Sequence, residues 1–214
     1  MAKFTSGING PFTGKVGTVV GCTWKGIPYM RALPKKRTGK VSDAELANRK
    51  RFAQAQAWLK PLTPFLRVGF KDYSPTSEGF VAAKSYLLKN AIEAIDSDFR
   101  IVPEKMKLSV GKLPLPAETA AIFNMAKGSI DFTWRAEKMV DTSMQDQAML
   151  MAYCVELGRA IFITTGAFRK SGHDELILPN SFAGKQVEVY IAFVAADRSI
   201  QSDSIYLGSI LCEA

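Results

Sequence analysis

Histidine is nearly absent from this 214-residue chain and cysteine is scarce. The one histidine is His173, and the three cysteines, Cys22, Cys154 and Cys212, stand far apart with no CxxC pair. A zinc site therefore lacks ligands, and the cysteines read as small buried apolar residues of a reducing compartment. No apolar run reaches the roughly 20 residues that span a bilayer, and even residues 148–155 fall far short. The opening MAKFTS lacks the apolar stretch of a secretory signal. The expected location is the cytoplasm by default, or an assembled particle. No cofactor, metal or catalytic residue is expected.

The signatures of common chemistries are missing too. A phosphate loop needs Gly-x-x-x-x-Gly-Lys-Ser/Thr between a strand and a helix. Here Gly14-Lys15 is followed by Val16, and Asn9 stands where the first glycine belongs. Gly14-Lys15-Val16-Gly17 matches the Gly-x-x-Gly of a KH loop, but that loop joins two helices. His173 sits beside Asp174 without a Gly-x-Ser-x-Gly elbow, so a strand-entry turn explains the pair. Asp131, Asp141, Asp146 and Glu156 could converge as paired carboxylates, although loop acids are the default for such residues. The composition and motifs point away from an enzyme.

Negative charge is rare at the front of the chain. Residues 1–60 hold 12 Lys and Arg against 2 Asp and Glu, whereas residues 101–214 hold 11 against 13. The formal net charge of +8 therefore belongs to the front of the molecule. Such asymmetry suits a nucleic-acid surface or an acidic partner, or a solvated flank. The candidate nucleic-acid contacts are Lys35, Lys36, Arg37, Lys40, Arg49, Lys50 and Arg51. The last three are consecutive on an expected helix, so they fan over roughly 200° at about 100° per residue. They cannot all address one groove.

What is present divides into three parts. Residues 1–41 read as a glycine-rich β arm or hairpin with a basic loop. The even positions Phe12, Val16, Val20, Cys22 and Trp24 are apolar, which is the period of two of a strand with one face to bury. The glycines mark bends, so a bent strand or a hairpin is expected. A segment this short cannot bury its apolar face alone. Phe12, Val16, Val20, Trp24 and Tyr29 are the candidate assembly contacts. Residues 42–100 read as about three helices. Ser42-Asp43-Ala44-Glu45 fits a capping box, followed by Phe52, Ala55, Leu59 and Leu62 at helical spacing. Pro61 ends that helix, and Thr63-Pro64 opens a second with a cap and a first-turn proline. A third begins near Ser77, its stripe running from Phe80 through Ile92 to Ile95, and Trp58 falls near the apolar stripe as a core residue.

Residues 106–214 read as β. The expected strands are 106–113, 129–135, 148–156, 159–165, 174–178, 187–195 and 204–209, a spacing that suits a seven-stranded sandwich. The stretches IDFTW and LILPNSFAGKQVEVYIAFVAADRS resemble a fibronectin type III or immunoglobulin-like domain. The resemblance puts Trp134 late in an early strand and Tyr190 at the tyrosine corner, its hydroxyl bonding back to loop backbone. The whole is an α+β chain in two parts, an arm with helices and then a sandwich.

The opening GPFTGKVGTVVGCTWKGIPYMRALP and the closing VEVYIAFVAADRSIQSDSIYLG together resemble a family of uncharacterised small basic proteins common in Bacteroidota. That resemblance implies organisation and brings no catalytic residues. The middle NRKRFAQAQAWLKPL is similar to small proteins of phage-like gene clusters. The leading expectation is a self-associating structural protein, a homo-oligomer or part of a larger phage-like assembly, with no membrane span. The alternatives are a nucleic-acid-binding protein and a glycan- or surface-binding module using residues 168–172.

Overall fold

A computed structural model describes residues 3–4, 10–36, 38–73, 77–95 and 98–213. The chain is mixed α+β, with one long helix and many antiparallel strands in several sheets. It divides into two compact units, Met1–Ser42 and Asp43–Ala214, called here the arm and the body.

The arm is a meander of β1 (Lys3–Phe4), β2 (Phe12–Val16), β3 (Val19–Trp24) and β4 (Ile27–Ala32), paired in that order and all antiparallel. Two-residue turns set it. Gly17 takes φ +56 in the first, where a type II′ turn requires a positive φ. Lys25 and Gly26 take φ 48 and 83 in the second, the type I′ pattern. The alternating stretch 12–24 is thus a hairpin, with a further strand added beyond it.

The body begins with α1 (Asp43–Leu59), which starts where the capping box predicts. Pro61 stops it in a 3-10 turn, and α2 (Thr63–Gly69) follows. Thr63 is not the cap; its hydroxyl donates instead to the Lys60 carbonyl at 2.8 Å, and Leu62 precedes the helix. Phe52 is exposed rather than part of the buried stripe, whereas Ala55, Trp58, Leu59 and Leu62 are buried. Helix α3 (Gly79–Asn90) is shorter than its stripe suggests. Ile92 and Ile95 instead belong to β5 (Ile92–Ile95), which pairs with β6 (Asp98–Ile101). The alternation IEAI and DFRI overrides the helical spacing of the same isoleucines.

The remaining strands are β7 (Ala120–Asn124), β8 (Ser129–Thr133), β9 (Gln147–Cys154), β10 (Arg159–Ile163), β11 (His173–Ile177), β12 (Gln186–Val194) and β13 (Ile205–Leu211). They form a four-stranded sheet, β10-β9-β12-β13, and a three-stranded sheet, β11-β8-β7. The expected strand at 106–113 is not one. Its backbone and side chains bond elsewhere: Leu108 N donates to Ser204 Oγ at 2.8 Å, and Ser109 Oγ donates to the Ser202 carbonyl at 2.6 Å. Gly111 packs so tightly that an added Cβ would lie 1.9 Å from the Gln201 carbonyl oxygen.

The two central strands, β9 and β12, are buried on both faces, which explains why MLMAYC and YIAFV read as nearly continuous apolar runs. Leu150, Ala152, Val189, Ile191 and Phe193 point into one core with Ile130, Phe132 and Leu176 of the three-stranded sheet. Met149, Met151, Tyr153, Tyr190 and Ala192 point the other way, onto Leu59, Leu62, Phe65, Leu66 and Leu87 of the helices. The body is therefore layered as helices, four strands, three strands. Trp58 of α1 meets Tyr153 of β9 edge-on at 5.0 Å between ring centroids, where the helices pack on the four-stranded sheet. Tyr190 of β12 points to the same side, and its hydroxyl donates to the Pro103 carbonyl at 2.9 Å. It anchors the turn that precedes the sheets, not a loop between two of their strands.

Candidate functional site

The register of the arm decides what each of its faces carries. Residues directly opposite across antiparallel strands share a face. Val16 lies opposite Val19 and Gly14 opposite Gly21; Gly21 lies opposite Met30 and Val19 opposite Ala32. One face therefore presents Phe12, Val16, Val19, Thr23, Pro28, Met30 and Ala32, with no charged strand residue. The Phe12 ring covers Gly21 on this face, where an added Cβ would fall 2.7 Å from the ring. Two concavities of the arm include residues of this face. One of about 790 Å³ is lined by Val19, Met30, Ala32 and Leu33 together with Arg31, Lys35 and Lys36, and one of about 310 Å³ by Phe12, Pro28 and Met30 together with Tyr29.

The opposite face is different in kind. Lys15 lies opposite Val20, Val20 opposite Arg31, Cys22 opposite Tyr29, and Trp24 opposite Ile27. Lys3, opposite Thr13, joins them. This face combines Lys3, Lys15 and Arg31 with Trp24 and Tyr29. The register thus sorts the strand cations onto one side of the sheet and leaves the other uncharged.

Among the described residues of the arm, only Gly21 is buried. Trp24 is 50% exposed, Tyr29 46%, Ile27 61% and Met30 69%. The first 42 residues contain eight Lys and Arg and no Asp or Glu, so no carboxylate within the arm can neutralise them.

The candidate residues read from sequence divide accordingly. Of the five assembly candidates, Phe12 and Val16 lie on the uncharged face, and Val20, Trp24 and Tyr29 on the cationic one. They do not form one patch. Sequence reading missed Met30 and Val19, whose place on the uncharged face follows only from the two-residue turns. Of the basic candidates, Lys35, Lys36 and Lys40 belong to the arm, and Arg37 lies outside the described residues. Arg49, Lys50 and Arg51 are engaged within the body. Arg49 pairs with Glu45 at 2.7 Å, Lys50 with Asp98 at 3.1 Å, and Arg51 donates to the Leu88 carbonyl.

Four of the acids, Asp131, Asp146, Glu156 and Asp174, have structural partners. Asp131 accepts from Asn124 Nδ2 at 2.9 Å, and Glu156 pairs with Lys185. Asp174 accepts from the Ala167 amide at 2.7 Å. Asp146 is buried against Arg169, with Oδ2 3.3 Å from Nε. Asp141 adopts φ 61 in a turn. The 168–172 loop offers less than its sequence suggests, because Arg169 is fully buried. Its guanidinium donates to the Pro114 carbonyl at 2.8 Å and stacks 4.8 Å from the Phe193 ring centroid. Burial lowers the arginine pKa, and the Asp146 carboxylate opposes that shift. Among the described residues no group of three His, Cys, Asp or Glu side chains is placed to hold a metal ion. No helix of the described residues is long and apolar enough to cross a membrane.

The body has a concavity of about 600 Å³ lined by Gln54, Trp58, Phe99, Arg100, Tyr153 and Glu188, among others. Desolvation by burial pushes the Tyr153 hydroxyl up to about 12, so it stays protonated at neutral pH. Glu188 accepts from Tyr206 Oη at 2.6 Å.

The chain is a mixed α+β protein whose first unit is a four-stranded antiparallel sheet with two chemically different faces. The chain belongs to a family of unknown function, DUF6266, whose model matches residues 11–208 and so takes in β2 through most of β13. No curated protein and no solved structure matches the chain.

Proposed function

We propose that the protein is a non-enzymatic, self-assembling structural protein, a building block of a phage-like particle or a similar assembly. The arm joins one copy to another through its uncharged face. The observation that carries this reading is the sorting of residues across the arm. A four-stranded sheet with one buried residue among those described has no core of its own, and sheets need a second layer to be stable. The identity of that layer follows from charge. Two arms meeting on their cationic faces would repel. Two arms meeting on Phe12, Val16, Val19, Met30 and Ala32 bring no charged strand residue together and leave the lysines in water. Such a contact is isologous, the commonest geometry of homo-oligomers, with the sheets about 10 Å apart.

In this reading the body is a fibronectin type III-like sandwich with a helical layer added to one side. Support comes from the three-plus-four strand arrangement, from Trp134 buried against Phe193 at 5.3 Å, and from β8 and β12, which carry no cysteine for the inter-sheet disulfide of antibody domains. That likeness concerns fold and brings no activity. Assembly in the cytoplasm fits the free thiols.

Light scattering on the full chain tests the association. The wild-type protein is expected at twice the chain mass or more, and Met30→Glu at the mass of one chain, because a carboxylate would be buried at the contact. A wild-type protein that stays at single-chain mass at high concentration would overturn the reading.

A further inference from the structure

The cationic face of the arm has a different partner, and we propose that it binds single-stranded nucleic acid. Three observations converge on it. First, Trp24 and Tyr29 stand on one face as diagonal neighbours, since Trp24 pairs with Ile27 and Tyr29 with Cys22. Diagonal positions are about 7–8 Å apart. Both rings are about half exposed, at 50% and 46%, although aromatic side chains gain most by burial. Exposed aromatic rings on a sheet are what unpaired bases stack on.

Second, the cations flank those rings. Lys15 and Arg31 lie opposite or next to Val20 on this face, and Lys3 extends the row from β1. Lys25 holds its ammonium 5.3 Å from the Trp24 ring centroid, which puts a phosphate ligand beside the stacking surface. Third, the arm has no acidic residue at all. The body, by contrast, carries as many acidic as basic residues and pairs many of them. A face that carries Lys3, Lys15 and Arg31 and no carboxylate repels no phosphate and favours a polyanion.

The choice among polyanions comes from shape. A four-stranded sheet is wider than the helix or two-stranded ribbon that the major groove admits. A duplex hides its base faces, whereas a single strand offers phosphates and π-faces together. The basic helix 49–51 named from sequence is not the contact surface, because its three cations are already engaged. This inference uses the face opposite to the proposed association surface and stands independently of it.

Fluorescence anisotropy with a labelled oligo-dT of about 12 nucleotides, within the usual 4–16 nucleotide site range, tests it on the full chain. Binding at low salt is expected. Trp24→Ala and Tyr29→Ala should each weaken it by about 5- to 150-fold, the equivalent of one lost stacked base. Trp24→Phe should restore most of the loss. Lys15→Gln and Arg31→Gln should each flatten the slope of log affinity against log salt by about 0.7. Heparin, which carries charge without bases, should bind without responding to Trp24→Ala. No binding of oligo-dT at low salt would overturn the proposal. So would equal binding by wild type and Trp24→Ala, or tighter binding of poly-glutamate than of oligo-dT. A protein that stays monomeric yet binds oligo-dT through Trp24 removes the association reading and leaves this one intact.

Discussion

Asp146→Ala is expected to destabilise the body by about 3–5 kcal/mol, the usual cost of stranding a buried charge. Asp146 and Arg169 are 1% and 0% exposed. The carboxylate faces Arg169 Nε at 3.3 Å and also accepts the Ser143 amide at 3.0 Å. Without it the guanidinium keeps the Pro114 carbonyl and the Phe193 ring, while its Nη1 makes no hydrogen bond to the described residues even with Asp146 present. The same residue's carbonyl accepts the Trp134 indole N–H at 2.8 Å, so displacing Arg169 also disturbs the tryptophan between the sheets. Urea unfolding measures the effect. The double variant Asp146→Leu with Arg169→Met should be less destabilised than Asp146→Ala, because it removes both charges and leaves neither stranded. If Asp146→Ala falls within about 1 kcal/mol of wild type, a range typical of surface pairs, the pair is not holding the core.

Gly21→Val should dismantle the arm. A Cβ at this position would lie 2.1 Å from the Phe12 carbonyl oxygen and 2.7 Å from the Phe12 ring. The obstacle is backbone, so no rotamer relieves it, and β2 must separate from β3. Overpacking alone costs about 1–3 kcal/mol, a large amount for a sheet without a buried core. Both faces of the arm depend on that pairing, so association and oligo-dT binding should be lost together. Gly26→Asn provides the contrast. Gly26 has φ +83 and open space around it, and asparagine tolerates that region well. Light scattering and anisotropy on the two variants should separate them fully. Retention of both properties in Gly21→Val would mean that neither face needs this register.

The alternation over residues 12–24 makes the strand character of the arm legible in the sequence, but not its sidedness. Even-numbered Phe12, Val16, Val20 and Trp24 look like one apolar stripe. The Gly17-Thr18 turn makes Val16 face Val19, so positions of unlike parity share a face and the stripe splits in two. Periodicity along a chain carries no information about register between strands. Glycine at 17 and Lys25-Gly26 were the signals that could have supplied it. In the body, the doubly buried β9 and β12 stood out as apolar runs, and α1 began at its capping box. β7 was missed because AAIFN is short and weakly alternating. Residues 106–113 misled because their apolar side chains are buried in an irregular segment held by Ser204, Ser202 and Asp203. The basic run 49–51 was visible as charge, but its partners Glu45, Asp98 and the Leu88 carbonyl come from three separate places in the chain.

Hydroxyl-radical footprinting of the full chain across a concentration series tests the division of the arm most directly, because one experiment reads both faces. Met30 and Phe12 should become protected as concentration rises, while Trp24 and Tyr29 stay reactive until oligo-dT is added. Met30 remaining equally reactive at every concentration, or Trp24 becoming protected in step with it, would contradict a sheet with two faces and two partners.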